Sequence, residues 1–148
     1  DAVSPFLRKN KWAILLIATS NPSGLDVQNI VTNKNTPLYL ELIDYVNKWS
    51  DESNMMFVIG ATRLSEMSKI RKKVPNHFFL VPGIGAQGGH LKNVSAHGFS
   101  QNCGLLINVS RSIIYAGSGV NFCDSVRSVS LKIQQEMELI LKQKKMIF

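Results

Sequence analysis

Four short apolar runs divide the chain and predict its strands. They are Trp12 to Ala18, Met55 to Gly60, Phe78 to Val81 and Gly104 to Val109. Each run is almost free of polar side chains, which is typical of strands that are buried on both faces of a parallel sheet. A basic turn at residues 8–11 precedes the first run.

Apolar residues at helical spacing follow each run. Helices are predicted to begin near Pro37 and to span Thr62 to Val74, His90 to Ala96 and Asn121 to Lys144. We expect the inward face of the first helix to comprise Leu38, Leu42, Tyr45, Val46 and Trp49. The stretch 25–35 is rich in Asn and Thr, and we expect it to be a long loop.

Strand and helix therefore alternate four times, which favours an α/β fold with a parallel sheet covered by helices. Two architectures remain open at this point, an open doubly wound sheet and part of an eight-stranded barrel. A complete (β/α)8 TIM barrel takes roughly 250 residues. Residues 1–148 would then form one partial barrel domain with four strand–helix units.

The stretch from Phe78 to Gly89 carries the clearest sign of a binding site. Its strand stops at Pro82, which has no N–H to donate to a neighbouring strand. Gly83, Gly85, Gly88 and Gly89 follow, with Gln87 among them. A strand that leads into a glycine-rich loop and then a helix is a common arrangement for holding an anion with backbone N–H groups. A flexible connection without a ligand is the alternative.

The carboxyl ends of parallel strands are where such folds place their sites. Arg111 directly follows the last strand, and its guanidinium is well suited to binding phosphate. A salt bridge at the rim of the sheet is the alternative role. Ser20 follows the first strand and, taken alone, is best explained as a turn residue.

Charge and the remaining reactive residues add little chemistry. The net charge of +7 is concentrated at two predicted helix ends, where cations complement the helix dipole, and no aromatic residues interleave with the lysines to favour nucleic acid. We expect His77, His90 and His97 to be surface or capping residues. Cys103 and Cys123 lack metal-ligand spacing, so reduced thiols in a cytoplasmic protein are expected. No apolar run is long enough to span a membrane, and no catalytic motif is visible.

Four segments, in order, resemble orotidine 5′-phosphate decarboxylase in its bacterial form. Ala18 to Pro22 resembles the end of that family's fifth barrel strand, and Phe57 to Thr62 the sixth. Phe79 to Gly89 resembles the seventh strand with its phosphate loop, and Gly104 to Arg111 resembles the eighth. The resemblance implies the C-terminal half of a TIM barrel, with strands one to four upstream of Asp1.

The family converts orotidine 5′-phosphate to UMP and CO2 without a cofactor or a metal, and the resemblance implies binding roles for five residues. Ser20 would hydrogen-bond the pyrimidine ring, and Pro82 would line the base pocket. Gln87 and Arg111 would bind phosphate, and the backbone N–H groups of Ser110 and Arg111 would complete the phosphate site. The resemblance also implies a homodimer of the full-length protein.

The family's catalytic Asp-x-Lys-x-x-Asp cluster is absent from this sequence. We therefore expect the catalytic residues upstream and the isolated chain to be inactive. We also expect half a barrel to leave two open sheet edges and an exposed apolar inner face. Two other functions remain open, a sugar-phosphate isomerase or aldolase on the same barrel and a non-catalytic nucleotide-binding half barrel.

Overall fold

The structure, a computed structural model, describes residues 4–7 and 10–147, so the basic turn predicted at residues 8–11 lies partly outside the described residues. Four strands form one parallel sheet in the order of the chain. They are β1 (Ala13–Ala18), β2 (Met55–Ile59), β3 (Phe78–Pro82) and β4 (Leu105–Asn108). The predicted strands and their parallel arrangement are confirmed.

Helices connect these strands, as the alternation predicted. They are α1 (Gly24–Gln28), α2 (Leu38–Val46), α3 (Leu64–Lys73), α4 (Leu91–Gly98), α5 (Arg111–Ile114) and α6 (Phe122–Gln143). Short 3-10 turns occur at Ser4–Phe6 and Gly119–Asn121. The prediction of a long loop over residues 25–35 is wrong in part, because α1 occupies its first four residues.

One face of the sheet is buried beneath helices and the other is open. Phe57 and Phe79, which are paired on neighbouring strands, are fully buried on the helix side. On the opposite face, Ile14, Leu16 and Leu106 are 51%, 55% and 50% exposed. The prediction that the strands are buried on both faces is therefore wrong for this chain, because helices cover only one of them. β1 and β4 are the outer strands of the sheet.

The inward face of α2 differs from the predicted one. Tyr39, Ile43 and Val46 are buried against the sheet, whereas Leu42 and Tyr45 are exposed. Both sets have helical spacing and are apolar, so periodicity alone could not separate them. The helix thus carries a second apolar stripe on its outer side.

The amino ends of the strands are closed by buried polar side chains. Arg71, near the end of α3, and His77, just before β3, are both buried. The expectation that His77 is a surface or capping residue is therefore wrong. Its imidazole stacks against Phe57, with the ring centroids 5.2 Å apart. Parallel α/β folds place their ligand sites at the other end of the sheet.

Candidate functional site

The carboxyl ends of the strands are joined by backbone hydrogen bonds. The N–H of Gly60 donates to the carbonyl oxygen of Ala18 at 2.7 Å, and the N–H of Ala61 donates to that of Pro82 at 2.9 Å. A Cβ on Gly60 would lie 2.7 Å from the backbone nitrogen of Ser20, so glycine is needed there for close approach. The segments that follow the strands are thereby fixed side by side.

The glycine loop, residues 83–89, is a compact turn that bonds mainly to itself. The N–H groups of Gly85, Gly88 and Gly89 donate to carbonyl oxygens within the loop at 2.8 to 3.1 Å. The N–H of Ala86 donates to the hydroxyl of Ser112 at 3.0 Å. These four amides are already used, so in this conformation the loop does not offer them to an anion as the sequence predicted.

A small cavity lies between the glycine loop and the end of β4. It has a volume of about 120 Å³, and its lining includes Gln87 and Arg111. The other lining residues are Pro82, Gly83, Ile84, Ala86, Asn108 and Ser110. Sites for drug-sized ligands are usually about 300 Å³ or larger, so this cavity matches a small anionic group better than a whole nucleotide.

Arg111 brings a positive charge to this cavity. It is the first residue of α5 and its side chain is exposed. Within the described part of the chain, its guanidinium has no hydrogen-bond or ion-pair partner. Ser110 precedes it, and the Ser110 hydroxyl donates to Asn108 Oδ1 at 3.0 Å. The donors of Arg111 are thus available to a ligand.

Ser20 reaches the same region from the first strand. Its hydroxyl donates to Oε1 of Gln87 at 2.9 Å, a contact between residues 67 positions apart. The structure therefore brings together Ser20, Pro82, Gln87 and Arg111, the side chains that the resemblance singled out. Ser20 touches Gln87 rather than lining the small cavity.

Arg63 is a further contributor that the sequence did not indicate. It is buried, and its guanidinium donates to the carbonyl oxygen of Thr19 at 3.2 Å and pairs with Glu66 at 2.9 Å. Because Thr19 immediately precedes Ser20, this arginine supports the segment that presents the Ser20 hydroxyl. No motif marked Arg63, since its role depends on a contact between positions 44 residues apart.

A second, larger cavity does not have the chemistry of an anion site. It measures about 550 Å³ and lies between β4 and α6, where Ile107, Ile133 and Met137 line it. No lysine or arginine is among its described lining residues. Cavities of about 680 Å³ beside Arg71 and Lys72 and about 500 Å³ beside Lys144 and Lys145 lie at the amino end, away from the edge where such folds bind ligands. We therefore regard the small cavity at the carboxyl end as the candidate site despite its size.

Other side chains offer little additional chemistry. His90 and His97 are exposed, as expected, and His97 Nδ1 lies 2.7 Å from the hydroxyl of Ser68. Among the described residues, no three His, Cys, Asp or Glu side chains are grouped so that they could hold a metal ion. None of the described helices combines the length and apolar character needed to cross a membrane.

A parallel sheet with a glycine loop, an arginine that has no partner among residues 4–7 and 10–147, and a small polar cavity at its carboxyl edge has the fold and the kind of site found in phosphate-binding α/β barrels. Comparison with known sequences identifies the family. The chain belongs to the orotidine 5′-phosphate decarboxylase / HUMPS family, whose model matches residues 2–124.

Relatives and solved structures agree with this assignment. The chain is 45% identical over 145 residues to the orotidine 5′-phosphate decarboxylase of Flavobacterium johnsoniae, a match that covers 97% of this chain and 53% of the relative. It is similar to the UMP synthase of Leishmania donovani (TM-score 0.76, 31% identity, 90% of this chain and 30% of that one). It is also similar to the OMP decarboxylase of that organism (TM-score 0.73, 28% identity, 91% and 52%).

The chain thus spans about half the length of the curated relative that it matches. Its four strand–helix units correspond to part of the TIM barrel of these decarboxylases, which confirms the predicted fold class.

Proposed function

We propose that this chain is the pyrimidine- and phosphate-binding half of an orotidine 5′-phosphate decarboxylase. The observation that carries the proposal is the small cavity, which Gln87 and Arg111 line together from the ends of neighbouring strands. The amide of a glutamine and the guanidinium of an arginine suit the oxygens of a phosphate group, because both donate N–H groups and the arginine adds charge.

The other roles that we propose are those that the family resemblance implies. Pro82 lines it from β3 and would contact the base, and the Ser20 hydroxyl, next to Gln87, would hydrogen-bond the pyrimidine ring. The backbone N–H groups of Ser110 and Arg111 would complete the phosphate site. Binding the phosphate away from the reacting carbon supplies energy that the enzyme can use in the transition state.

The reacting groups would come from outside this chain. The sequence has no Asp-x-Lys-x-x-Asp cluster, and the apolar inner face of the sheet is open. We propose that four further strands cover this face and carry the catalytic residues, and that the reaction needs no cofactor. A cytoplasmic homodimer of the full-length protein stays a prediction that rests on the resemblance.

Ligand binding tests the assignment in a complete barrel. This chain would be joined to the part of the Flavobacterium johnsoniae relative that it does not match, and binding of UMP and uridine would be measured by calorimetry. Arg111→Ala and Gln87→Ala should each weaken UMP binding about 10- to 100-fold, as expected for the loss of a hydrogen bond to a charged group.

Uridine lacks the phosphate, so its affinity should change less than about twofold in both variants. Equal losses for the two ligands, or no loss for UMP, would refute the phosphate site. Decarboxylation of orotidine 5′-phosphate by the fusion but not by the isolated chain would support the division of roles. A fusion that binds UMP without turning over the substrate would favour the non-catalytic alternative.

A further inference from the structure

The glycine loop is fastened to the neighbouring helix by one side chain, that of Ser112. The loop's own backbone bonds hold residues 83–89 together as a unit. The Ala86 N–H, however, points out of the loop and donates to Ser112 Oγ at 3.0 Å. Ala86 is next to Gln87, and Ser112 is next to Arg111. The hydrogen bond therefore links the two sides of the small cavity at the residues adjoining its two phosphate-binding candidates.

The backbone of the loop is shaped to permit this contact. Gly85 has a φ of +76°, and a Cβ at this position would lie 2.6 Å from Ser112 Oγ. A side chain there would push the loop away from α5 as well as strain its backbone. The close approach of the loop to the serine hydroxyl thus depends on glycine at position 85.

We propose that Ser112 is a positioning residue of the phosphate site. By accepting the Ala86 N–H, its hydroxyl sets the distance and orientation of Gln87 relative to Arg111. The proposal rests on the proposed function, since it assumes that these two side chains hold one phosphate. An anion held at two points is sensitive to their spacing, because even a displacement of about 1 Å can cost much of the binding or catalytic gain.

This role differs from a merely structural one. The Ser112 hydrogen bond is solvent-exposed, so its net contribution to folding should be small. Ser112 itself does not line the cavity. Its removal should therefore affect ligands that carry a phosphate group and spare those that lack it.

The test compares Ser112→Ala with a matched control, Ser128→Ala, in the complete barrel. Ser128 is an exposed serine on α6. Ser112→Ala should weaken UMP binding about 5- to 15-fold, the equivalent of one neutral hydrogen bond, and leave uridine within about twofold. Ser128→Ala should change neither ligand. Ser112→Thr, which retains a hydroxyl, should recover most of the UMP affinity.

A double-mutant comparison asks whether Ser112 acts through Gln87. In a Gln87→Ala background, Ser112→Ala should cause less than about a twofold further loss of UMP affinity, because there is no amide left to position. An undiminished loss, or an equal loss for uridine, would overturn the proposal. Gly85→Ala displaces the same contact from the other side and should weaken UMP binding selectively as well.

The two proposals fail in different ways. If Gln87→Ala and Arg111→Ala do not distinguish UMP from uridine, the phosphate site itself is wrong and the role of Ser112 falls with it. If those variants do distinguish the ligands while Ser112→Ala does not, only the positioning role is wrong.

Discussion

Two arginines at opposite ends of the sheet show how the same side chain serves two purposes. At the amino end, Arg71 is buried and its guanidinium lies 3.6 Å from the ring centroid of Phe79. It donates to five backbone carbonyl oxygens, those of Val74, Pro75, His77, Gly98 and Gly104, at 2.7 to 3.1 Å. At the carboxyl end, Arg111 is exposed and has no partner among the described residues.

This difference in burial and bonding shows which of the two arginines is available to a ligand. Burial lowers the pKa of Arg71 to about 10, so it remains charged at neutral pH, but each of its three nitrogens donates to a backbone carbonyl oxygen of the protein. It holds the α3–β3 and α4–β4 connections together. In parallel barrels the amino end serves stability and the carboxyl end serves chemistry. Substitutions at the two ends should therefore have separable effects.

The largest effect on stability is expected from Arg71→Met. The methionine fills much of the space but removes the donor of four carbonyl oxygens, while that of Gly104 keeps the N–H of Phe79. Each buried unsatisfied group costs about 1–3 kcal/mol. We expect the free energy of unfolding to fall by about 3 kcal/mol or more in urea titrations of the complete barrel. UMP affinity of the folded protein should be unchanged.

Lys72→Met is the matched control, because Lys72 is the exposed neighbour on the same helix. It should alter stability by less than about 0.5 kcal/mol. A loss of UMP affinity in folded Arg71→Met would contradict the view that the amino end of the sheet serves stability alone.

A smaller loss is expected from Arg63→Met, at the carboxyl end. This buried arginine loses its bonds to Thr19 and Glu66, and we expect a cost of about 2 kcal/mol in the free energy of unfolding. Because Thr19 adjoins Ser20, uridine and UMP should both bind more weakly, which calorimetry would detect. An effect on UMP alone would contradict this, since it would place Arg63 in the phosphate site instead.

The burial of Arg71 and Arg63 is a feature that could not be predicted from the sequence. The strands, most helices and the clustering at the carboxyl edge followed from apolar runs, periodicity and turn residues. Arg71, however, stands among Lys69, Lys72 and Lys73, and nothing in the pattern of charges distinguishes it from them. Which of four cations turns inward is decided by carbonyl groups that only the folded chain brings together.

The same limit applies to the candidate site. Glycine and proline mark the loop, and the charge of Arg111 is evident in the sequence. Ser112 carried no signal, because a serine after an arginine is common, and its importance arises from the approach of Ala86. The prediction of which face of α2 is buried was wrong for a different reason, because this helix has two apolar stripes.

A pH-dependent effect, smaller than the loss from Arg63→Met, is expected from His77. Burial lowers the pKa of its imidazole, and Arg71 lowers it further, while Glu52 and Asp51 act in the opposite direction. Neither ring nitrogen has a hydrogen-bond partner among the described residues. Below the ordinary value of 6.5, the unfolded chain takes up a proton before the folded one, so stability should fall as pH is lowered through this range.

Urea titrations between pH 7.5 and 5 would measure this decline, and His77→Phe should reduce it. Burial of the phenyl ring against Phe57 keeps the packing while removing the titrating group. An identical pH dependence in His77→Phe would show that other groups cause the decline.

Gln87→Ala should have the smallest effect on stability, although its effect on UMP binding should be large. Its side chain is exposed and makes one described hydrogen bond, from Ser20 at 2.9 Å, so Gln87→Ala should change the free energy of unfolding by less than about 0.5 kcal/mol. Gln101, an exposed glutamine at the amino end, provides the matched comparison. Gln101→Ala should change neither stability nor UMP affinity, whereas Gln87→Ala should change affinity alone. If Gln87→Ala destabilised the protein as much as Arg63→Met does, the glycine loop would be part of the folding framework, and the contrast between a structural and a ligand-binding end would no longer hold.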